Sequence, residues 1–298
     1  MVDQAQSLRR LMMRGKMEAK LESRPAFEQP SSTRIITVTS GKGGVGKSNF
    51  TLNFAIMLQE AGYRTLIFDA DIGMANIDVL IGATSNVNLY HVLNGSKKLE
   101  EIVQLGPKGI HYIPGGSGFE DLLNMPKEAL ENFLTQMEGW SARYDVILFD
   151  TGAGLSKETM RFVTAADEIF VVTTPEPTAI TDAYALIKVV HGSEPDTRFR
   201  LIVNRASDLA EGEQTAKRLT SVAKRFLQLD IPVLGYIYDD PHVMKAVKNQ
   251  TPFSIMYPNN KVTSQIRQLV NVYMSNSTDA ANTGGMKNFF RKWMKGWL

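Results

Sequence analysis

The stretch RIITVTSGKGGVGKS, residues 34–48, runs from a β-branched apolar segment into a glycine-rich loop ending in Lys47 and Ser48. From Gly41 to Ser48 it satisfies G-x-x-x-x-G-K-[ST], and the following SNFTLNFAIMLQEAG (48–62) has helical apolar spacing. Strand, glycine turn and helix in that order are the setting in which such a loop cradles phosphate. Glycines let the backbone curl until successive N–H groups face one point, and the helix adds the positive end of its dipole. Gly43, Gly44, Val45 and Gly46 supply that backbone. Lys47 then serves the β- and γ-phosphates of a nucleoside triphosphate, and the Ser48 hydroxyl ligates Mg²⁺. One lysine suffices for this, so Lys42 needs a separate explanation.

Beyond RIITVT (34–39), short apolar runs alternate with helix-length amphipathic segments: TLIFDAD (65–71), YDVILFD (144–150), EIFVVTT (168–174), FRLIVN (199–204) and PVLGYI (232–237). The alternation predicts an α/β fold with a doubly wound, mostly parallel sheet. These runs are apolar nearly throughout, as expected of strands covered by helices on both faces. GIHYIPGG (109–116) is a weaker strand candidate, and no internal repeat is visible.

A magnesium nucleotide site needs a carboxylate at the end of a neighbouring strand, and YDVILFD ends in Asp150. TLIFDAD ends in Asp69 and Asp71, whose spacing of two puts both on one side of the strand. One of the pair can complete the outer shell of the metal while the other orients a water toward the γ-phosphate. Turn or helix capping near Gly73 is the simpler alternative for each. The N-K-x-D signal of a guanine-specific site is missing, because Asn204 is followed by Arg205 and Asp208 falls one position too far. Adenine is therefore expected, with Asn204 at its amino edge. The histidines at 91, 111, 191 and 242 are scattered and suggest no catalytic triad.

Composition narrows the classes further. The 298-residue chain is 43% hydrophobic, enough for one large domain with appendages. It has no cysteine, hence no disulfide, thiolate zinc site or cysteine nucleophile. A formal net charge of +2 does not point to nucleic-acid binding by the whole chain, and no direct nucleic-acid contact is expected. The beginning MVDQAQSLRRLMMRGKMEAK lacks a signal-peptide h-region, and no apolar run of about 18 residues is present. A cytoplasmic protein is expected.

Together with DADIGMANID (69–78), GKGGVGKS is similar to the deviant Walker A family of MinD and ParA ATPases, over about residues 33–275. The resemblance implies a MinD-like P-loop NTPase fold, ATP/ADP and Mg²⁺ as cofactors, and ATP hydrolysis. It makes Asp150 the Walker B acid, Asp71 the water-positioning aspartate and Asp69 its metal-side neighbour. Lys42 becomes the lysine that reaches across an ATP-dependent homodimer to the phosphates of the partner. A cation supplied in trans stabilises phosphoryl charge only when two subunits meet, which ties hydrolysis to assembly.

Both ends differ from this domain, taken as residues 34–275. After the polar segment 276–285, MKNFFRKWMKGWL (286–298) has Met286, Phe289, Phe290, Trp293, Met294, Trp297 and Leu298 on one helical stripe and Lys287, Arg291, Lys292 and Lys295 on the other. Aromatics opposite cations describe an interfacial helix for an anionic membrane, and roughly 20 Å of helix is too short to span one. Peripheral attachment to the inner face of the cell membrane is the expectation; a helix docked on the protein body is the alternative.

Residues 1–33 combine a short amphipathic stretch with the proline-containing linker ESRPAFEQPSS. Asp3, Gln4, Ala5, Leu8 and Arg9 resemble the D-Q-A-x-x-L-R extension of the FlhG (also YlxH or FleN) flagellar-number regulators. That resemblance implies that the segment stimulates the signal-recognition-particle-like GTPase FlhF, with Gln4 at its active site. Flagellar basal-body components are further implied partners. A division-site MinD, dependent on MinC and indifferent to residues 1–30, and a DNA-partitioning ParA, with salt-sensitive DNA binding, are the competing expectations.

Overall fold

The computed structural model describes residues 33–71, 76–115, 127–275 and 285–295. Eight strands form one sheet: β1 (Arg34–Ser40), β2 (Thr65–Ala70), β3 (Gln104–Leu105), β4 (His111–Ile113), β5 (Val146–Ala153), β6 (Glu168–Thr173), β7 (Arg198–Ala206) and β8 (Val233–Tyr238). Their order is β3-β4-β2-β5-β1-β6-β7-β8, parallel except for the antiparallel β3–β4 pair at one edge. The six main runs expected from the sequence, and the weaker one at 109–116, are all strands. β3 has only two residues, too few for a periodic signal in sequence, and is held by its pairing with β4.

Helices cover both faces, and the central strands divide their residues between them. On β5, Ile147 and Phe149 enter one apolar cluster while Val146 and Leu148 enter the other. The second cluster is filled by α1 (Lys47–Glu60), α2 (Ile77–Ile81), α9 (Pro241–Lys248), α10 (Phe253–Met256) and α11 (Lys261–Ser275). Between them, on the side of the first cluster, lie α3 (Leu89–Leu93), α4 (Leu99–Ile102), α5 (Lys127–Ser141), α6 (Lys157–Ala165), α7 (Pro177–Ser193) and α8 (Leu209–Leu227), joined by α12 (Gly285–Lys295). Because β1 and β5 are neighbours at the centre of the sheet, the phosphate loop after β1 and Asp150 near the end of β5 are brought together. The next neighbour of β5 is β2, and its register sets Asp69 opposite Asp150.

Buried polar contacts tie helices to strands at specific points. The Tyr273 hydroxyl of α11 donates to Glu168 Oε2 at 2.8 Å, and the Arg200 Nε of β7 donates to Glu168 Oε1. Burial pushes the Tyr273 phenol well up, so it remains a donor. On the opposite face the Phe149 ring stacks on Phe68 at 4.8 Å and on Phe289 at 4.3 Å, joining β2, β5 and α12. Phe149→Ala is expected to lower the free energy of unfolding by about 3–5 kcal/mol, measured as a fall in the urea midpoint at constant m-value.

Candidate active site

The loop closing β1 depends on its glycines. Gly44 and Gly46 have φ of 80° and 89°, the left-handed region that an L side chain rarely enters. A Cβ at Gly46 would overlap the amide nitrogen of Asn204, and one at Gly41 would overlap the α7 backbone at Asp182 and Ala183. The loop then runs directly into α1, whose first residue is Lys47. This open curl of backbone N–H groups at a helix N-terminus suits a polyphosphate.

The two lysines go in opposite directions. Lys47 is buried, with 7% of its side chain exposed, and its Nζ lies 3.0 Å from Asp150 Oδ1 and 3.5 Å from Ser48 Oγ. Lys42 is 40% exposed, and its Nζ donates to Glu176 Oε2 at 2.8 Å and to Thr178 Oγ1 at 2.9 Å. Its ammonium holds the Glu176 carboxyl below the usual range. The inner lysine faces the site and the outer one is tied to the start of α7.

Three carboxylates converge on the inner lysine. Asp150 is fully buried, and its Oδ2 has no hydrogen-bond partner among the described residues. Asp69 accepts from the Ile77 N–H at 3.1 Å and the Asp71 N–H at 3.3 Å. Burial, then the neighbouring Asp150 charge, pushes its carboxyl up to about 7 despite those bonds. Asp71 is half-buried and accepts from Asn76 Nδ2 at 3.2 Å; partial burial also raises its carboxyl. A buried pair of acids with one cation, an orphaned carboxylate oxygen and a serine hydroxyl fits a hard divalent cation carried in with phosphate. Ser48, Asp150 and Asp69 would hold Mg²⁺ there, directly or through water.

Asn204, expected at the adenine amino edge, lies beside the loop, and its Nδ2 donates to Val45 O at 2.7 Å. That bond leaves the amide oxygen as the atom able to accept from an adenine amino group. Thr51, Glu176 and Thr178 are the contacts that the motif did not supply. Thr51 Oγ1 lies 2.9 Å from Asp150 Oδ1, and its position one turn after Lys47 on α1 was a usable signal. Glu176 follows β6 as an acid at a strand end, the same sign that singled out Asp150.

The C-terminal stripe is docked on the protein body in this structure. Phe289, Phe290 and Trp293, expected as membrane-binding residues, are buried within the protein, as is Met286, and Met294 packs partly against the same cluster. The docked alternative is thus the arrangement observed, because Phe149 and Phe162 offer the stripe an apolar seat. Phe162 lies 5.6 Å from the Trp293 ring, and Arg161 of α6 lies over that ring at 5.7 Å. Glu138 of α5 accepts from the Lys287 N–H; Glu131 lies 3.6 Å from Arg291 and Asp167 3.6 Å from Lys292. Trp297 and Leu298, and Asp3, Gln4, Ala5, Leu8 and Arg9, lie outside the described residues.

The buried ion pair makes a prediction without nucleotide. Lys47→Ala leaves Asp150 charged and uncompensated, and should destabilise the protein by about 3–5 kcal/mol. Adding Asp150→Asn should recover most of that loss, as read by urea unfolding of the single and double variants.

Comparison with known proteins agrees with this geometry. Residues 31–274 match the ParA family model, described as NUBPL iron-transfer P-loop NTPase. The flagellum site-determining protein YlxH of Helicobacter pylori is 39% identical over 274 residues, 90% of this chain and 92% of the relative. The antiactivator FleN of Pseudomonas aeruginosa is 38% identical over 228 residues, 76% of this chain and 81% of the relative. Among solved structures, the septum site-determining protein MinD of Pyrococcus horikoshii complexed with Mg-ADP superposes with a TM-score of 0.66 at 25% identity, covering 84% of this chain and all of that one. Phosphate loop, neighbouring acids, sheet order and these similarities converge: the chain belongs to the ParA/MinD family of P-loop NTPases and is an ATPase.

Proposed function

We propose that this ATPase is a nucleotide-dependent switch that pairs with a second copy when ATP is bound, attaches through α12 to the inner face of the cell membrane, and regulates flagellar number or placement. The observation that carries it is the opposed placement of the two lysines. Lys47 faces inward to Asp150, whereas Lys42 is on the surface, able to exchange Glu176 for phosphates bound to a facing copy. Similarity to YlxH and FleN, whose names describe flagellum site determination and antiactivation, supports the flagellar assignment. The iron-transfer description of the family model does not carry over readily, since this chain has no cysteine to bind an iron–sulfur cluster.

On binding a triphosphate, Lys47 exchanges Asp150 for the β- and γ-phosphates, and the loop N–H groups hold the remaining oxygens. Mg²⁺ supplies polarisation of the phosphates and offsets their charge. Asp71 orients the attacking water, while Asn204 accepts from the adenine amino group. Lys42 of the facing copy neutralises charge that grows as the γ-phosphoryl group departs.

A physical route connects this site to α12. A Cβ at Gly152 would lie 3.3 Å from Asp71 Oδ1 and 3.1 Å from Thr159 Oγ1, so the end of β5 after Asp150 is packed between the acid and the first turn of α6. α6 is in turn the floor beneath Trp293. Burying Met286, Phe289, Phe290 and Trp293 is worth roughly 6–12 kcal/mol gross, from about 1.5–3 kcal/mol per side chain. Release into water is therefore strongly opposed, and a bilayer is a phase that can accept the same faces. Two helices in a dimer then bind by avidity where one binds weakly. Among the described residues no helix is long and apolar enough to cross a membrane. The amino-terminal Asp3, Gln4, Ala5, Leu8 and Arg9 would engage the FlhF-type GTPase, and basal-body components are further candidates for its surface.

Four measurements test these points. Asp71→Ala should accumulate an ATP-bound dimer in size-exclusion chromatography with light scattering, and Lys42→Ala should slow hydrolysis by about a hundredfold while retaining nucleotide binding; normal turnover by Lys42→Ala would remove the trans role. In flotation with anionic vesicles, ATP should recruit the parent protein but not the Phe289→Ala/Trp293→Ala variant. A peptide of residues 1–30 should accelerate GTP hydrolysis by the partner GTPase; a division-site protein would show no such effect.

A further inference from the structure

We infer that Thr51 is a positioning residue for the metal site, its hydroxyl holding Asp150 Oδ1 so that Oδ2 remains available to the Mg²⁺ shell. The inference rests on the Mg²⁺–nucleotide assignment above.

Thr51 is fully buried in the second turn of α1, an unusual place for a hydroxyl unless it is bonded. Its Oγ1 lies 2.9 Å from Asp150 Oδ1 and 3.1 Å from the Lys47 carbonyl oxygen. A hydroxyl has one proton to donate, and a carboxylate draws it more strongly than a neutral carbonyl does. Lys47 Nζ lies 3.0 Å from the same oxygen, so both donors sit on Oδ1 while Oδ2 is buried with no partner among the described residues.

This asymmetry matters when the nucleotide arrives. The Lys47 ammonium is then claimed by phosphate, and Asp150 loses its cation. Thr51, anchored in α1 and uninvolved with phosphate, is the side-chain donor left on Oδ1. The terminal torsion of an aspartate is broad, so without that donor the carboxylate plane can rotate away from the orientation that aims one oxygen at the metal. Thr51 thus keeps the orientation of Asp150 through the transfer of Lys47. A valine has nearly the same shape and replaces the hydroxyl by a methyl group, removing the donor to Asp150.

The test uses the full chain carrying Thr51→Val or Thr51→Ser, with fluorescent N-methylanthraniloyl-ADP titrated with Mg²⁺ and Mn²⁺ occupancy read by electron paramagnetic resonance. Thr51→Val should need about tenfold more metal for half-maximal response, as for loss of a bond that orients a ligand, with affinity in EDTA unchanged within about twofold. Thr51→Ser should follow the parent. If circular dichroism shows that the valine variant is not folded, Thr51→Ala is measured in its place and judged the same way. The inference fails if the variant without the hydroxyl titrates like the parent, if serine is as impaired as valine, or if affinity falls equally in EDTA. No metal dependence in the parent would instead overturn the Mg²⁺–nucleotide assignment itself.

Discussion

The ion pair between Lys47 and Asp150 at the centre of the sheet is the constraint on which the rest of the structure depends. Taking an ammonium and a carboxylate out of water costs several kcal/mol for each ion, returned only when the two meet at hydrogen-bond distance. They meet because β1 and β5 are adjacent parallel strands, so the loop leaving one reaches the acid ending the other. In the proposed cycle the pair is temporary, because phosphate would be a stronger partner for the lysine than a single carboxylate oxygen. Burial, and then the Asp150 charge opposite it, raises the Asp69 carboxyl beside this pair.

The second lysine extends this logic to the surface. Lys42 and Lys47 differ by five positions in one loop, yet one is tied to Asp150 and the other to Glu176 on the rim. An exposed ion pair such as Lys42–Glu176 is weak and easily exchanged, whereas a buried pair has to be replaced by something equally polar. The loop therefore holds one lysine in a firm buried pair and the other in a loose exposed one, as the proposed trans contact would require. Behind it, the end of β5 after Asp150 packs against α6, and α6 supports α12, so the acids and the aromatic helix share one structural element.

Most of the architecture was readable in the sequence. Fully apolar runs at regular intervals marked the strands, and G-x-x-x-x-G-K-[ST] between a strand and a helix marked the site. The edge strand β3 was not visible because two residues carry no period. Thr51 and Glu176 escaped because their importance lies in which atom they face, although helical spacing and strand-end position pointed to each. The C-terminal segment shows the limit most plainly: amphipathicity identifies a helix with an apolar side, but not whether lipid or protein covers it.

The sequence by itself determined that this chain forms a doubly wound α/β domain with a phosphate loop, neighbouring acids and a basic aromatic helix at its end. Those properties reside in local patterns: glycines that permit left-handed backbone, runs that must be buried on both sides, and a stripe of aromatics opposite cations. Tertiary structure alone decided that Lys47 points in and Lys42 out, that Thr51 and Lys47 share one oxygen of Asp150, and that Phe289, Phe290 and Trp293 rest on Phe149 and Phe162. These are relations between residues about 100 or more positions apart, set by strand order and helix packing, and no local pattern carries them.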